Sequence, residues 1–342
     1  MNARILEQIQ LLARMLIIWG GVNALFVLPS VCLSQEIRCD PTKVMTADSC
    51  AKCHGNEVKR WKQTPHYKTF EQLSRNPKTK EILSNLRLKS VKRSDVCIKC
   101  HYTLKEVNGK IKPVSGISCE SCHGASRDWI ALHNDYGGPT ASRETETPEH
   151  TDYRYRVSSE NGMRNTRNLY AIASSCLNCH TVPDEELVNV GGHKAGTEDF
   201  ELVSWSQGMI RHNYLRNNGE VNTTSPPERL RKMFVIGIIA ELEYSTRATA
   251  YATSKSNFGF KVAKRAARTA VKLYEIQQKI NDPNVQAALE SFASAELRIN
   301  NYEDLNWIAN QIRTAGEAFA SQADGSQLAV LEPMMPDPST YK

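Results

Sequence analysis

The sequence has 342 residues, with 43 Lys and Arg against 37 Asp and Glu, a formal net charge of +6, ten cysteines and nine histidines. So modest a basic excess, with no interleaving of basic and aromatic residues, excludes a nucleic-acid-binding module. The cysteines are not scattered, and their spacing decides the class of the chain.

Residues 1–34 read as an export signal peptide. Arg4 and Arg14 form a basic n-region, Met15 to Leu28 is mostly apolar, and Cys32 and Ser34 precede a cleavage point before Gln35. The apolar stretch holds Asn23 and two glycines and is short for a membrane span. The alternative is that this N-terminus stays uncleaved and anchors the chain to a membrane. Val31 is a poor residue before a lipidated cysteine, which disfavours a lipoprotein site at Cys32. Cys39 then remains in the mature chain as a thiol outside any motif, either unpaired or linked to another chain.

Next in chain order comes the pentapeptide Cys-x-x-Cys-His, four times: Cys50, Cys53 and His54; Cys97, Cys100 and His101; Cys119, Cys122 and His123; Cys176, Cys179 and His180. Chance at this composition gives about 0.01 matches in the whole chain. In each copy two thiols can bond the vinyl groups of a haem, and the adjacent histidine can ligate its iron. A zinc ribbon needs no histidine after every second cysteine, and a thioredoxin-like site needs only one such pair. The sequence therefore reads as a multihaem c-type cytochrome with four covalently attached haem c groups. Export fits, because c-type haem is attached outside the bacterial cytoplasm, so the expected location is the periplasm. Haem propionates bring the holoprotein close to neutral, which again gives no reason to invoke nucleic acid. The lysine-rich run from Lys78 to Lys92 is either a docking face for an acidic redox partner or a solvated face.

The expected fold is mainly α. Residues 35–225 hold every motif and histidine and should form a tetrahaem domain of short helices and long loops wrapped on porphyrin faces. Residues 226–323 lack Cys and His and show helical periodicity, which predicts a C-terminal helical domain. Pro226 and Pro227 can open a helix through Leu230, Met233, Phe234, Ile238 and Tyr244. A second runs from about Phe258 to Ile280 with Val262, Ala266, Ala270 and Leu273 on one stripe. Asp282-Pro283 starts a third. A fourth begins near Tyr302, with Leu305, Ile308, Ala309, Ile312, Ala315 and Phe319 on one face. Four such helices make a bundle, packed on the haem region or used for homo- or hetero-oligomer assembly. Residues 324–342, with three prolines, are expected to be an irregular tail.

Five histidines remain as sources of a sixth iron ligand: His66, His133, His150, His193 and His212. A helix carrying Trp61 could pack on one haem and present His66 to another. His133 lies too close to His123 to wrap around the same iron and should reach a neighbouring haem. His150, in a polar Thr/Glu/Pro stretch, reads as a surface residue.

The run from Cys50 to His66, the segment Ile117 to Gly124 and the trailing His133 resemble one family. It is the tetrahaem cytochrome c family that accepts electrons from hydroxylamine oxidoreductase in ammonia-oxidising bacteria. The resemblance spans about residues 46–215. It implies that His66 serves the haem of Cys119/Cys122 and His133 the haem of Cys50/Cys53. The segment Phe200 to His212, with Leu202, Trp205 and Met209 on one helical face, is similar to the helix that supplies the family's fourth haem. His212 is assigned by that likeness to Cys176/Cys179. The family type leaves its second haem five-coordinate. Here His193 departs from that pattern: it could close the open face at Cys97/Cys100, ligate the fourth haem in place of His212, or act as an acid beside an open haem.

Bis-histidine ligation saturates iron and favours redox cycling, so the leading expectation is an electron carrier with donor and acceptor protein partners and no catalytic residue. By the resemblance alone, its setting is nitrogen or other anaerobic respiratory metabolism. One alternative is reduction of nitric oxide, nitrite or hydroxylamine at a five-coordinate haem. Another is an electron-transfer subunit of a larger haem assembly.

Overall fold

The computed structural model describes residues 39–215 and 219–342. The expected export segment 1–34, with Cys32, lies outside the described residues. The motif-bearing part runs through α1 (Ala47–Ala51), α2 (Gly55–Trp61), α3 (Pro65–Gln72), α4 (Pro77–Asn85), α5 (Asp95–His101), α6 (Cys119–His123), α7 (Pro148–Glu160), α8 (Leu169–His180), α9 (Glu185–Asn189) and α10 (Leu202–Gln207). Polar caps define many of the starts. Asn76 accepts a hydrogen bond from the N–H of Lys78, Thr147 from His150, Asn168 from Ala171 and Asp184 from Leu187. Each satisfies a first-turn amide that the helix itself leaves orphaned. Pro65, Pro77 and Pro148 open their helices, where a missing N–H costs nothing.

Among the described residues the sheet is one antiparallel hairpin, β1 (Thr103–Val107) with β2 (Lys110–Ser115). It turns at Asn108-Gly109, both at positive φ (53° and 70°), a turn whose twist suits the flanking strands. The mainly α expectation, with little sheet, is met.

Four long helices follow: α11 (Pro227–Ala250), α12 (Asn257–Ile280), α13 (Pro283–Ala293) and α14 (Tyr302–Gln322). The stripes read from periodicity are buried, from Val262 to Leu273 on α12 and from Leu305 to Phe319 on α14. Asp282 caps α13 through the amides of Asn284 and Val285. On α11, however, burial goes almost all the way round from Met233 to Ala250. The reason is position: α8, α10, α12 and α14 all pack on it, so it is a central helix rather than an amphipathic one.

The segment 324–342 is more ordered than expected. It forms 3-10 turns at Gly325–Met334 and Pro338–Thr340, started by Asp324 and Asp337, and buries Leu328 and Leu331. Short Asp side chains that capture nearby amides offset the helix-breaking effect of the prolines.

The core does not stop at Pro226. Leu169, Tyr170, Ala173 and Leu177 of α8 share one apolar cluster with Phe234, Ile239 and Leu242 of α11 and Ile308 and Ile312 of α14. Gly316 permits this approach, since a Cβ there would stand 2.1 Å from Tyr170 Cε2. Below it the buried Glu243 carboxylate accepts from Tyr170 Oη at 2.7 Å and from Arg247 Nε at 2.8 Å. Burial raises the Glu243 pKa, and the Arg247 guanidinium opposes that shift. The helix bearing the fourth motif is thus built into the C-terminal bundle.

Candidate haem sites

A helical turn brings residues i, i+3 and i+4 to one face, so Cys-x-x-Cys-His presents two thiols and an imidazole together. The second and third motifs lie within α5 and α6, and the fourth closes α8. The first begins in α1, and its His54 sits at the N-cap of α2, with its N–H donating to Cys50 O at 2.9 Å.

Each proximal histidine faces one other histidine. Ring centroids stand 6.2 Å apart for His54 and His133, and 6.3 Å apart for His101 with His193, His123 with His212 and His180 with His66. With a metal–imidazole bond of about 2 Å and about 1.1 Å more to the ring centre, two imidazoles that held one metal between them would stand about 6.2 Å apart. Among the described residues no group of three or more His, Cys, Asp and Glu converges on a point, as a tetrahedral zinc site would need. His150 stands apart from these pairs, with Nδ1 2.8 Å from Glu146 Oε1.

Two of the ring facings differ from the pairs that the resemblance implies. His66 faces His180, not His123, and His212 faces His123, not His180. Packing explains the first: Thr69 of α3 donates to both His66 O and His101 O, which lays α3 across the end of α5, and α5 packs on α8. The expected helix to His212 is also corrected. The helix α10 ends at Gln207, and Met209 is exposed. Gly208 breaks it where the chain's last residue docks, with the Met209 N–H donating to Lys342 O at 2.7 Å. Trp61 ends α2 and donates through Nε1 to Ile117 O at 2.7 Å, while His66 belongs to the next helix.

Backbone carbonyls select the ring tautomer. The Nδ1–H of His133 donates to Ile130 O at 2.6 Å, that of His193 to Lys194 O at 2.8 Å, and that of His212 to Ile210 O at 2.7 Å. His123 Nδ1 reaches Arg164 O at 3.3 Å, and His180 Nδ1 pairs with Thr197 Oγ1 at 2.9 Å. A carbonyl only accepts, so the proton sits on Nδ1 and the Nε2 lone pair is left for a metal. Burial pushes His101, His123 and His180 down to about 4 and lowers His66 and His133, which favours the neutral form of these five rings.

The motifs also touch each other. The Cys50 side chain lies beside that of Cys119 and the Cys100 side chain beside that of Cys179, while Ser175 Oγ donates to Cys122 O at 3.3 Å. The sites therefore run in the order first, third, fourth, second. None of the nine cysteines in the described residues forms a disulfide.

Sequence reasoning missed the residues that brace these sites. Glu120, inside the third motif, is buried and accepts from the amides of Met45, Thr46 and Ser126, each at 2.9 Å, which ties the first motif to the third. An acidic residue between two haem cysteines was the available signal. Arg164 donates to Ser121 O at 2.7 Å and Cys122 O at 2.8 Å, capping α6. Arg154, held by Glu146, donates to His133 O at 2.7 Å. Neither arginine is distinguishable in sequence from its neighbours.

The surroundings fit a carboxylate-bearing macrocycle. Among the described residues, buried Tyr102 Oη, Trp129 Nε1, Arg211 Nε and Arg265 Nη2 have no hydrogen-bond partner; Tyr102 follows His101, Arg211 precedes His212, Trp129 packs on His133 and Arg265 donates to His180 O. A cavity of about 670 Å³ opens at Cys53, lined by Asn56, Glu57, Tyr136, Arg143 and Leu215.

Paired cysteines, each pair beside its own two facing imidazoles, are the arrangement that a multihaem c-type cytochrome requires. Residues 49–124, which hold the first three motifs, match the family described as cytochrome c554 and c-prime. The curated cytochrome c-554 of Nitrosomonas europaea is 31% identical over 112 residues, covering 29% of this chain and 46% of that protein. The chain thus spans about half the length of the curated relative it matches. No solved structure matches. The resemblance read from the motifs is borne out, while the fourth motif and the long helices lie outside the matched family segment.

Proposed function

We propose that this protein is an exported electron carrier holding four haem c groups, each bonded to one Cys-x-x-Cys pair and each placed between two histidines. The observation that carries this reading is the set of four imidazole pairs at 6.2–6.3 Å. When bound, haem supplies one-electron chemistry at iron. The chain's part is to fix the imidazoles, exclude water and set the order of the sites. His54 and His133, His101 and His193, His123 and His212, and His180 and His66 would be the axial pairs.

His193 decides between carrier and reductase. Reduction of nitric oxide, nitrite or hydroxylamine needs an iron face open to substrate, and His193 faces His101 at the second motif as the other distal histidines face theirs. Adjoining motifs support a path from the first through the third and fourth to the second, with an entry and an exit for donor and acceptor proteins at its ends. At the second-motif end the lysine-rich run packs close by: Val91 shares a cluster with Cys97 and Tyr102, and Lys92 Nζ lies 3.5 Å over the Phe70 ring. This end suits an acidic partner.

Among the described residues no helix is long and apolar enough to cross a membrane. Packing of the bundle on α8 supports its role as a support for the haem region rather than an assembly surface.

Electron paramagnetic resonance of the oxidised protein, with and without nitric oxide or nitrite, tests the reading. Low-spin signals only, unchanged by either ligand, are expected. An axial high-spin signal that nitric oxide removes would reinstate the reductase.

A further inference from the structure

Helix α12 meets the motif region along Lys261, Arg265 and Arg268, spaced i, i+4 and i+7 on one face. Lys261 and Arg268 grip the segment 193–200, Lys261 pairing with Glu198 at 3.2 Å and Arg268 donating to Glu198 O at 2.9 Å, while Arg265 between them reaches past that segment to His180 O. That segment carries His193, the Thr197 hydroxyl on His180 Nδ1, and Phe200, whose ring stacks on His180 at 5.1 Å.

Arg265 is 5% exposed. Its Nη1 donates to His180 O at 3.0 Å, its Nε donates to Glu241 Oε1 at 2.9 Å, and its buried Nη2 has no partner among the described residues. The space is made for it. Gly196 sits at φ +90°, and a Cβ there would stand 2.6 Å from His180 O and 2.8 Å from Arg265 Nη1.

We infer that Arg265 is a positioning and redox-tuning residue for the haem of Cys176/Cys179, and that Glu241 sets how much of its charge that haem feels. The inference rests on the ligand reading above. Oxidised iron carries one more positive charge than reduced iron, so a buried cation beside the proximal histidine favours the reduced form and raises the potential. Burial limits screening by water and salt. The Glu241 carboxylate opposes the effect. Both residues lie on the long C-terminal helices, so the bundle governs the potential of the third site along the path.

The test is a potentiometric titration of the intact holoprotein, followed haem by haem through the low-spin resonances. Arg265→Gln should lower one potential, with a shift of roughly tenfold in the oxidised-to-reduced ratio, about 59 mV for a one-electron couple. Glu241→Gln should raise the same potential. Arg265→Lys should hold it near the parent value. Shifts of one sign in both neutral variants, equal shifts at all four haems, or no shift with all low-spin signals intact would overturn the inference. Should Arg265→Gln fail to accumulate, Glu241→Gln alone decides, since only a tuning role predicts a rise. Absence of a low-spin signal from this haem in the parent protein would instead overturn the ligand reading, and this inference with it.

Discussion

His66 and His180 face each other with ring centres 6.3 Å apart, although one opens α3 and the other closes α8. The pairing crosses the chain and makes the fourth site depend on a helix next to the first motif. His66→Ala should therefore convert the Cys176/Cys179 haem from low to high spin while all haem stays covalently attached. In a protein lacking the Cys176 and Cys179 thiols, the same substitution should change no remaining low-spin signal. His212→Ala in that background should still convert one. If His66→Ala instead alters the Cys119/Cys122 haem, the exchange of partners described above is wrong.

At the second motif, His193→Ala should open one iron face. Binding of nitric oxide to the oxidised protein, absent in the parent, should then appear together with a high-spin signal at unchanged haem content. A variant that keeps every low-spin resonance would remove His193 from the ligand set.

Glu146 supplies a pH dependence. Its hydrogen bonds from Arg154 hold its carboxyl down to about 2, below its ordinary value of 4.5. The folded group is depressed, so its contribution is fully present above pH 4.5 and is lost as pH falls from 4.5 toward 2. Arg154 also holds His133 O, so acid in that window should loosen His133 first and turn the Cys50/Cys53 haem high spin. In Glu146→Gln this acid step should vanish and the looser state should persist at neutral pH. A parent protein whose four haems respond together down to pH 2 would argue against this linkage.

The close approach of α14 to α8 gives a packing prediction. Gly316→Val would drive side-chain atoms into Tyr170 and Ile239, and overpacking of this kind costs about 1–3 kcal/mol. Chemical denaturation should show that loss together with broadening of the Cys176/Cys179 haem signal, since α8 carries that motif. Unchanged stability would mean that the bundle and α8 are not one packed unit.

Tyr170→Phe should cost about 1–3 kcal/mol by removing a hydrogen bond from the buried Glu243 carboxylate. Glu243→Leu should cost about 3–5 kcal/mol, because it strands the buried Arg247 guanidinium. Equal effects of the two variants in thermal melts would show that the network is not organised around Glu243.

Much of the molecule is legible without coordinates. A pentapeptide repeated four times is chemical bonding written in sequence: thiol spacing on one helical turn fixes a cofactor class locally. The start of α13 follows from its Asp282 cap, and the buried stripes of α12 and α14 from a 3.6-residue period, which are also local. What the sequence could not carry is which distal histidine meets which proximal one. Spacing along the chain says nothing about the order in which four sites stack. That order follows from contacts such as Thr69 on His101 and Lys342 at Gly208, made between residues far apart in sequence. The same holds for Arg265. Nothing near it marks it, and only the packing of α12 on the 193–200 segment puts its charge at His180. Covalent and helical chemistry are short-range and survive in a one-dimensional reading, whereas charge placement and ligand pairing depend on distances that only the folded chain defines.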